Sequence, residues 1–437
     1  LDCSKPSNVG SSMSTNHTLE RAEPAQVINR MGEHLRHALS KARALGCLGP
    51  FVYAIGETLL EEGIQVNRVN LPAAKYFGFR HPLYAVANLT WFKGPTVDVD
   101  YHEHQENDVP LDQQDEQLRE TPYHSLVFGE QQYARFKLKN LSHPSKVLNR
   151  LARDGYVDYL AVALPLPSGR VQPLSIASKE MLPERLLSYL ELVRPLMAST
   201  LDSLYQAAAA RSLAQSYLGR MTGPRVLAGE FVRGNTQLVN AGILFCDIRN
   251  FTKLSQELGV TGIVSVVNQI FDVVGQAVTN QHGEILKFIG DAVLIIFPGH
   301  SEGTYRELVN SMLSTVTEAV KGVDKLAERL RLPLSIGFGG HIGDVLYGNI
   351  GTQERLDFTV MGPSVNLASR LEGLCKKFDR AAVFSPNVAQ SCDSLVPLGE
   401  EMLKGISAPI EVWGFADTPQ IAARKNHEAP DEHPKKE

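Results

Sequence analysis

Hydrophobic positions along the chain recur with two periods. Val27, Met31, Leu35 and Leu39 fall four apart and predict a helix over 26–45. Short apolar runs follow at 66–71, 85–91, 159–164 and 171–177. The last two flank Pro167-Ser168-Gly169, which predicts a hairpin. Between the second and third runs, 98–117 is polar and acidic and reads as a loop. Leu187, Leu190, Val193, Met197, Leu201, Leu204 and Ala208 then form one helical stripe within 183–218. Pro195 is expected to kink that helix, since proline removes an intrahelical bond. The stripe either packs on its own domain or serves as a dimer connector. Residues 219–234 are glycine-rich and read as a joint.

From 239 to 416 the pattern alternates. Strands are predicted at 241–246, 284–289 and 292–297, with a further pair at 334–341 and 345–350. Helices are predicted at 254–281, 305–329 and 363–378. The order implies an α+β fold, a ferredoxin-like split-βαβ sheet with helices on one face. The resulting division is a tail over 1–25, a first α+β domain over 26–180, a helical linker and joint over 181–236, a second domain over 237–417 and a tail over 418–437.

Composition narrows the class. The chain has 437 residues, enough for two or three domains, with 43% hydrophobic and 21% charged residues. Its 43 Lys and Arg against 48 Asp and Glu leave a net charge of −5, which argues against broad binding to nucleic acid or an anionic membrane. No integral membrane segment is expected. The most apolar helical stretch, 260–278, is interrupted by Asn268, Gln269, Asp272 and Gln276. Five scattered cysteines (Cys3, Cys47, Cys246, Cys375, Cys392) fit neither a disulfide framework nor a zinc site. The chain opens with Leu, and Met13 is a candidate start. A soluble, cytoplasmic, multidomain protein is expected.

Chemistry concentrates in the second domain. Asp247 follows the apolar run Gly242-Ile243-Leu244-Phe245-Cys246, and Asp291 occupies a two-residue turn between strands. Each aspartate either supports a turn or, if the strands are neighbours, contributes to a carboxylate pair suited to a hard divalent cation. Ile248 to Thr252, with Phe251 in the run, forms a strand-to-helix junction whose free N–H groups suit a polyphosphate. Asn366 and Arg370 are four apart on one helix and share a face. Lys287 is either an edge-strand charge or a donor to a base nitrogen.

The runs FCDIRNFT (245–252), GEILKFIGDAVLIIF (283–297), GNIGTQERLDFTVMGPSVNLASRLE (348–372) and LKG (403–405) resemble the class III nucleotidyl cyclases. The resemblance implies that Asp247, Asp291 and the Ile248 carbonyl bind two Mg²⁺ or Mn²⁺ ions per active site. It implies that Asn366 and Arg370 orient the ribose and stabilise the transition state, and that Lys404 contacts the triphosphate. Lys287 and Thr359 match the purine-reading pair. Lysine can donate to adenine N1 and threonine can accept from the 6-amino group, so ATP is the expected substrate and cyclic AMP with pyrophosphate the products. A guanylate cyclase, opposed by Lys287, and a silent nucleotide-binding module are the alternatives. The threonine resembles the bicarbonate-responsive subgroup. Ser335 stands where many relatives carry a phosphate-binding arginine, and Arg249 is a candidate to compensate. The family builds its site across a dimer interface, so a homodimer through the cyclase domains and the linker helix is expected.

The segments 66–94 and 159–178 resemble the GAF-like sensor domain of some bacterial adenylate cyclases, which implies an unidentified small ligand there. The joint at 217–234 resembles their connector. His102 and His104 form either a metal pair or a solvated loop, and Cys47 either a reactive thiol or a small buried residue.

Overall fold

The computed structural model describes residues 23–45, 48–72, 86–93, 97–101, 121–129, 131–139, 145–299 and 305–416. His102, His104, Cys3, Cys47 and the two expected tails beyond residue 23 and residue 416 lie outside the described residues. The chain divides into two compact units, Leu1–Leu213 and Ala214–Glu437.

In the first unit, strands β1 (Arg68–Pro72), β2 (Val86–Phe92), β3 (Val97–Tyr101), β4 (Tyr133–Lys137), β5 (Asp158–Pro165) and β6 (Val171–Ser178) form one sheet. Their order is β3-β2-β1-β6-β5-β4, and every neighbouring pair is antiparallel. The β5–β6 hairpin turns at Gly169, whose φ of +83° suits glycine. Helices Pro24–Leu45 and Gly49–Glu61 supply Met31, Leu35, Phe51 and Ile55 to its core. The second of these helices was not legible from periodicity, because it is apolar on most sides. Part of the expected acidic loop is β3 instead: Val97, Val99 and Tyr101 alternate with aspartates, and Leu89 and Trp91 of β2 pair with Val99 and Val97.

Helix Arg185–Leu218 carries Pro195 inside a continuous helical run. Its stripe, from Leu186 through Val193 and Met197 to Tyr205, is buried in the first unit's core. The stripe therefore packs on its own domain, while Leu192 on the opposite side and Leu213 and Tyr217 beyond it are exposed.

In the second unit the strands are β7 (Thr236–Ile248), β8 (Glu284–Ile289), β9 (Ala292–Pro298), β10 (Ile336–Gly351), β11 (Leu356–Met361), β12 (Ala382–Phe384), β13 (Leu395–Glu401) and β14 (Ile410–Phe415). The sheet runs β13-β14-β12-β10-β7-β9-β8, with β11 on β10. Its β10-β7-β9-β8 portion, with helices Phe251–Asn280 and Tyr305–Leu330 as the crossovers, is the split-βαβ arrangement.

Two expectations need correction. The pair expected at 334–350 is one strand, β10, because its register with β7 runs unbroken from Ile336↔Ile248 to Gly348↔Thr236. Helices also cover both faces of the sheet. Leu244, Cys246 and Ile248 pack with the two crossover helices, whereas Ala241 and Ile243 pack with Ala368 of helix Pro363–Phe378. That third helix lies directly on β10. A Cβ at Gly339 would stand 2.1 Å from the Glu372 nitrogen, so only glycine lets the two backbones approach.

Helix Phe251–Asn280 has a window of mean hydropathy 1.5, apolar and long enough to cross a membrane by that measure. Its Ile270, Val274 and Ala277 are fully buried in the sheet's core, and Gly259 breaks its helical geometry with φ +67°.

Candidate active site

The carboxylate half of the site follows from strand register. Asp247 ends the apolar part of β7 and pairs with Ala292, the first residue of β9. Asp291 immediately precedes Ala292 in the β8–β9 turn, where Gly290 takes φ +66°. The two carboxylates therefore meet at one sheet edge. Burial, and then the charge of Asp291, raise the Asp247 carboxyl above its ordinary value, while a hydrogen bond from the Ile248 backbone acts in the opposite sense. Among the described residues, Oδ1 of Asp247 is buried without a hydrogen-bond partner. Two facing carboxylates, one with an unpartnered oxygen, are a donor set that fits a hard divalent cation. Among the described residues, no group of three or more His, Cys, Asp or Glu side chains could hold a metal ion. The chain would thus leave coordination positions open for water and phosphate.

The pair opens into a cavity of about 710 Å³ that Ile248, Phe251, Thr252 and Arg249 also line, a size suited to a nucleotide-sized ligand. Asn250 turns the chain into helix Phe251–Asn280 with φ +53°, a left-handed geometry that asparagine tolerates. The helix thereby presents its free N–H end to the cavity, favourable for anions. Ser335 lines the same cavity. Its carbonyl accepts from the Arg249 backbone N–H at 2.8 Å. The Arg249 guanidinium lies over Gly337, where a Cβ would be 2.3 Å from Nη2, and Nη2 donates to the Arg380 carbonyl at 3.4 Å.

Lys287, Thr359, Asn366, Arg370 and Lys404 do not line this cavity. Lys287, on the edge strand β8, forms an ion pair with Asp357 of β11. Thr359 lies two residues further along β11, opposite Gly348. Asn366 is exposed on helix Pro363–Phe378 and Arg370 is half-buried. The turn containing Lys404 approaches Arg370, because a Cβ at Gly405 would be 3.6 Å from its Nη2. Within one chain these five residues thus lie outside the cavity that the carboxylate pair opens into.

Three residues were missed by sequence reasoning. Asp357 had a signal, since it shares a strand face with Thr359 by alternation. Glu372 lines the carboxylate cavity although Arg370, two residues earlier, does not. Residues two apart on a helix project in different directions. Burial first, and then the Asp247 charge, push the Glu372 carboxyl up to about 7. Glu284 carried no local signal at all.

Residues 235–391 match the family described as adenylate and guanylate cyclase catalytic domain. Adenylate cyclase 1 of Rhizobium meliloti is 30% identical over 175 residues, covering 39% of this chain and 26% of that protein. The adenylate cyclase of Anabaena cylindrica is 31% identical over 150 residues, covering 34% and 30% respectively. The chain therefore spans less than a third of the length of either relative. Among solved structures, the adenylyl cyclase CyaB of P. aeruginosa is 28% identical, with 43% of this chain and 98% of that one covered at a TM-score of 0.39. Motif order, the paired carboxylates and the family match agree: residues 235–391 of this chain are an adenylate and guanylate cyclase catalytic domain.

Proposed function

We propose that the chain is an adenylate cyclase that acts as a homodimer, converting ATP to 3′,5′-cyclic AMP and pyrophosphate. One observation carries the reading: Asp247 and Asp291 share a cavity that Lys287, Thr359, Asn366, Arg370 and Lys404 of the same chain do not line. A second copy, facing the first, would bring the two groups together and give two equivalent sites. Exposed apolar side chains offer surface for such a copy. Leu238, Leu346 and Met361 form a cross-strand row through the pairings Leu238↔Leu346 and Leu346↔Met361, each at least 44% exposed.

Asp247 and Asp291, with the Ile248 carbonyl, would hold Mg²⁺ or Mn²⁺. Such an ion supplies Lewis acidity toward the ribose 3′-hydroxyl and the triphosphate. The N–H end at Phe251 and Thr252, with Arg249, binds phosphate oxygens in place of the arginine that Ser335 replaces. Lys287 donates to adenine N1 and Thr359 accepts from the 6-amino group. The ion pair with Asp357 fixes the direction of the ammonium. Asn366 orients the ribose so that its 3′-oxygen faces the α-phosphorus in line with the departing pyrophosphate. Arg370 meets the charge that builds on the α-phosphate, and Lys404 steadies the triphosphate. The first unit is proposed as a GAF-like input domain for a small ligand.

Purified protein assayed with ATP and with GTP, each with Mg²⁺ and with Mn²⁺, tests the substrate. Turnover of ATP over GTP is expected, and a GTP preference overturns the purine assignment. Mixing Asp247→Ala with Arg370→Ala protein tests the shared site. Random re-pairing should restore about a quarter of wild-type turnover, since half the dimers regain one of two sites. No recovery rejects the homodimer.

A further inference from the structure

The buried polar groups of the second unit that this chemistry leaves unused converge on one carboxylate. Glu284, the first residue of β8, is 4% exposed. Its Oε1 accepts from the backbone N–H groups of Met221 at 2.8 Å and Thr222 at 3.1 Å. Its Oε2 accepts from the Thr222 hydroxyl at 3.3 Å and the Tyr347 hydroxyl at 3.2 Å. The two hydroxyls are themselves 3.0 Å apart. Gly219 completes the grip: its φ is +91°, and a Cβ there would stand 2.2 Å from Glu284 Oε1. Three donors from the turn and one from β10 share this buried carboxylate and hold the turn against the sheet.

The contacts continue along the joint. The Arg225 guanidinium lies 5.5 Å from the Tyr347 ring centre and 5.3 Å from that of Phe358. The Asn349 side chain donates to the Glu230 carbonyl at 2.8 Å. Residues 219–230 therefore touch β8 at Glu284, β10 at Tyr347 and Asn349, and β11 at Phe358. These points adjoin the purine-reading pair. Lys287 follows Glu284 by three residues, Thr359 follows Phe358 directly, and the Lys287–Asp357 ion pair links the two strands.

We infer that Glu284 is a positioning residue: by gripping the 219–222 turn it sets β8 against β10 and β11, and so fixes Lys287 and Thr359 for the purine. The inference rests on the functional reading above. The gripped turn directly follows helix Arg185–Leu218, so a displacement of that helix end reaches β8 through these bonds.

The full chain carrying Glu284→Gln tests this. The amide keeps the volume but removes the charge and replaces one acceptor oxygen with an N–H₂ donor, so the backbone N–H groups and the two hydroxyls can no longer all donate to it. Hydrogen exchange at 219–224 should quicken about tenfold or more. KM for ATP should rise about tenfold with kcat nearly unchanged, and the preference for ATP over GTP should fall by a similar factor. Thr222→Val, which leaves the two backbone bonds to Glu284 in place, should show the same pattern at roughly threefold, and it carries the test if Glu284→Gln does not fold. Unchanged exchange overturns the grip. Faster exchange with wild-type KM and purine preference overturns the positioning role, as does loss of kcat alone. If the wild-type chain turns over neither nucleotide, the functional reading and the purine role fail together, and exchange still decides the grip.

Discussion

Two buried aspartates, one in each unit, show how differently the same side chain is treated. Asp158 of β5 is fully buried and fully satisfied. Arg135 grips it with two bonds, at 3.2 and 2.6 Å, and the Leu182 N–H adds a third at 2.9 Å. Asp247 of β7 has a buried oxygen with no partner and a second carboxylate for a neighbour. A folding domain does not leave a charge in that condition without cost. Asp158 is held by its partners in the fold, whereas among the described residues Asp247 Oδ1 has none.

The sharpest break in this comparison comes from removing each carboxyl. Asp247→Ala or Asp291→Ala should lower turnover by about 10³-fold or more. Thermal melting of the metal-free protein should stay level or rise, because a repelled, unpartnered group is gone. Asp158→Ala should do the reverse. It strands Arg135 and should cost about 3 kcal/mol in denaturant unfolding of the first unit. Equal destabilisation by both changes would erase the distinction.

A smaller effect concerns the helix that carries Arg370 and Glu372. Gly339→Ala should cost about 2–3 kcal/mol, since its Cβ would enter backbone rather than a flexible side chain. Gly373, on the same helix, has nothing within 4 Å of a Cβ, and its change to alanine should stabilise by up to about 1 kcal/mol. Urea unfolding of the two variants measures the contrast, and similar signs would show that the helix does not rest on β10 as described.

His341 of β10 is a third kind of buried titratable group, neither paired ionically nor left open. Its Nδ1 is 2.8 Å from the Ser385 hydroxyl, and burial lowers its pKa to about 4. The unfolded chain takes up the proton near 6.5 and the folded chain only near 4. Stability should therefore be complete above pH 6.5 and fall, by up to about 3 kcal/mol, as pH drops toward 4. His341→Gln should flatten that slope, and an unchanged acid limb would assign it to other groups.

Much of the second unit was legible because its signals are local. The apolar run before Asp247, the two-residue turn at Asp291 and the four-residue spacing of Asn366 and Arg370 each sit within a few positions of chain. The first unit was read less well. Helix Gly49–Glu61 is too uniformly apolar to show a period, and β3 hid its alternation beneath acidic residues. Glu284, Asp357 and Glu372 were invisible or nearly so for another reason. Each matters through distant partners, such as Thr222 and Tyr347, which lie 62 and 63 residues from Glu284, or through a cavity that no short stretch encloses.

Residue order alone singled out the groups that the proposed chemistry would use: carboxylates at strand ends, an amide and a guanidinium on one helix face, a lysine and a threonine on strands. Backbone period and turn geometry are short-range properties, so they survive in one dimension. Tertiary structure settled which of those groups meet. It joined Asp247 to Asp291 through the β7–β9 register, set the basic residues apart from them, and closed four donors around Glu284. Those outcomes depend on pairings between distant strands and on backbones that touch only where glycine allows.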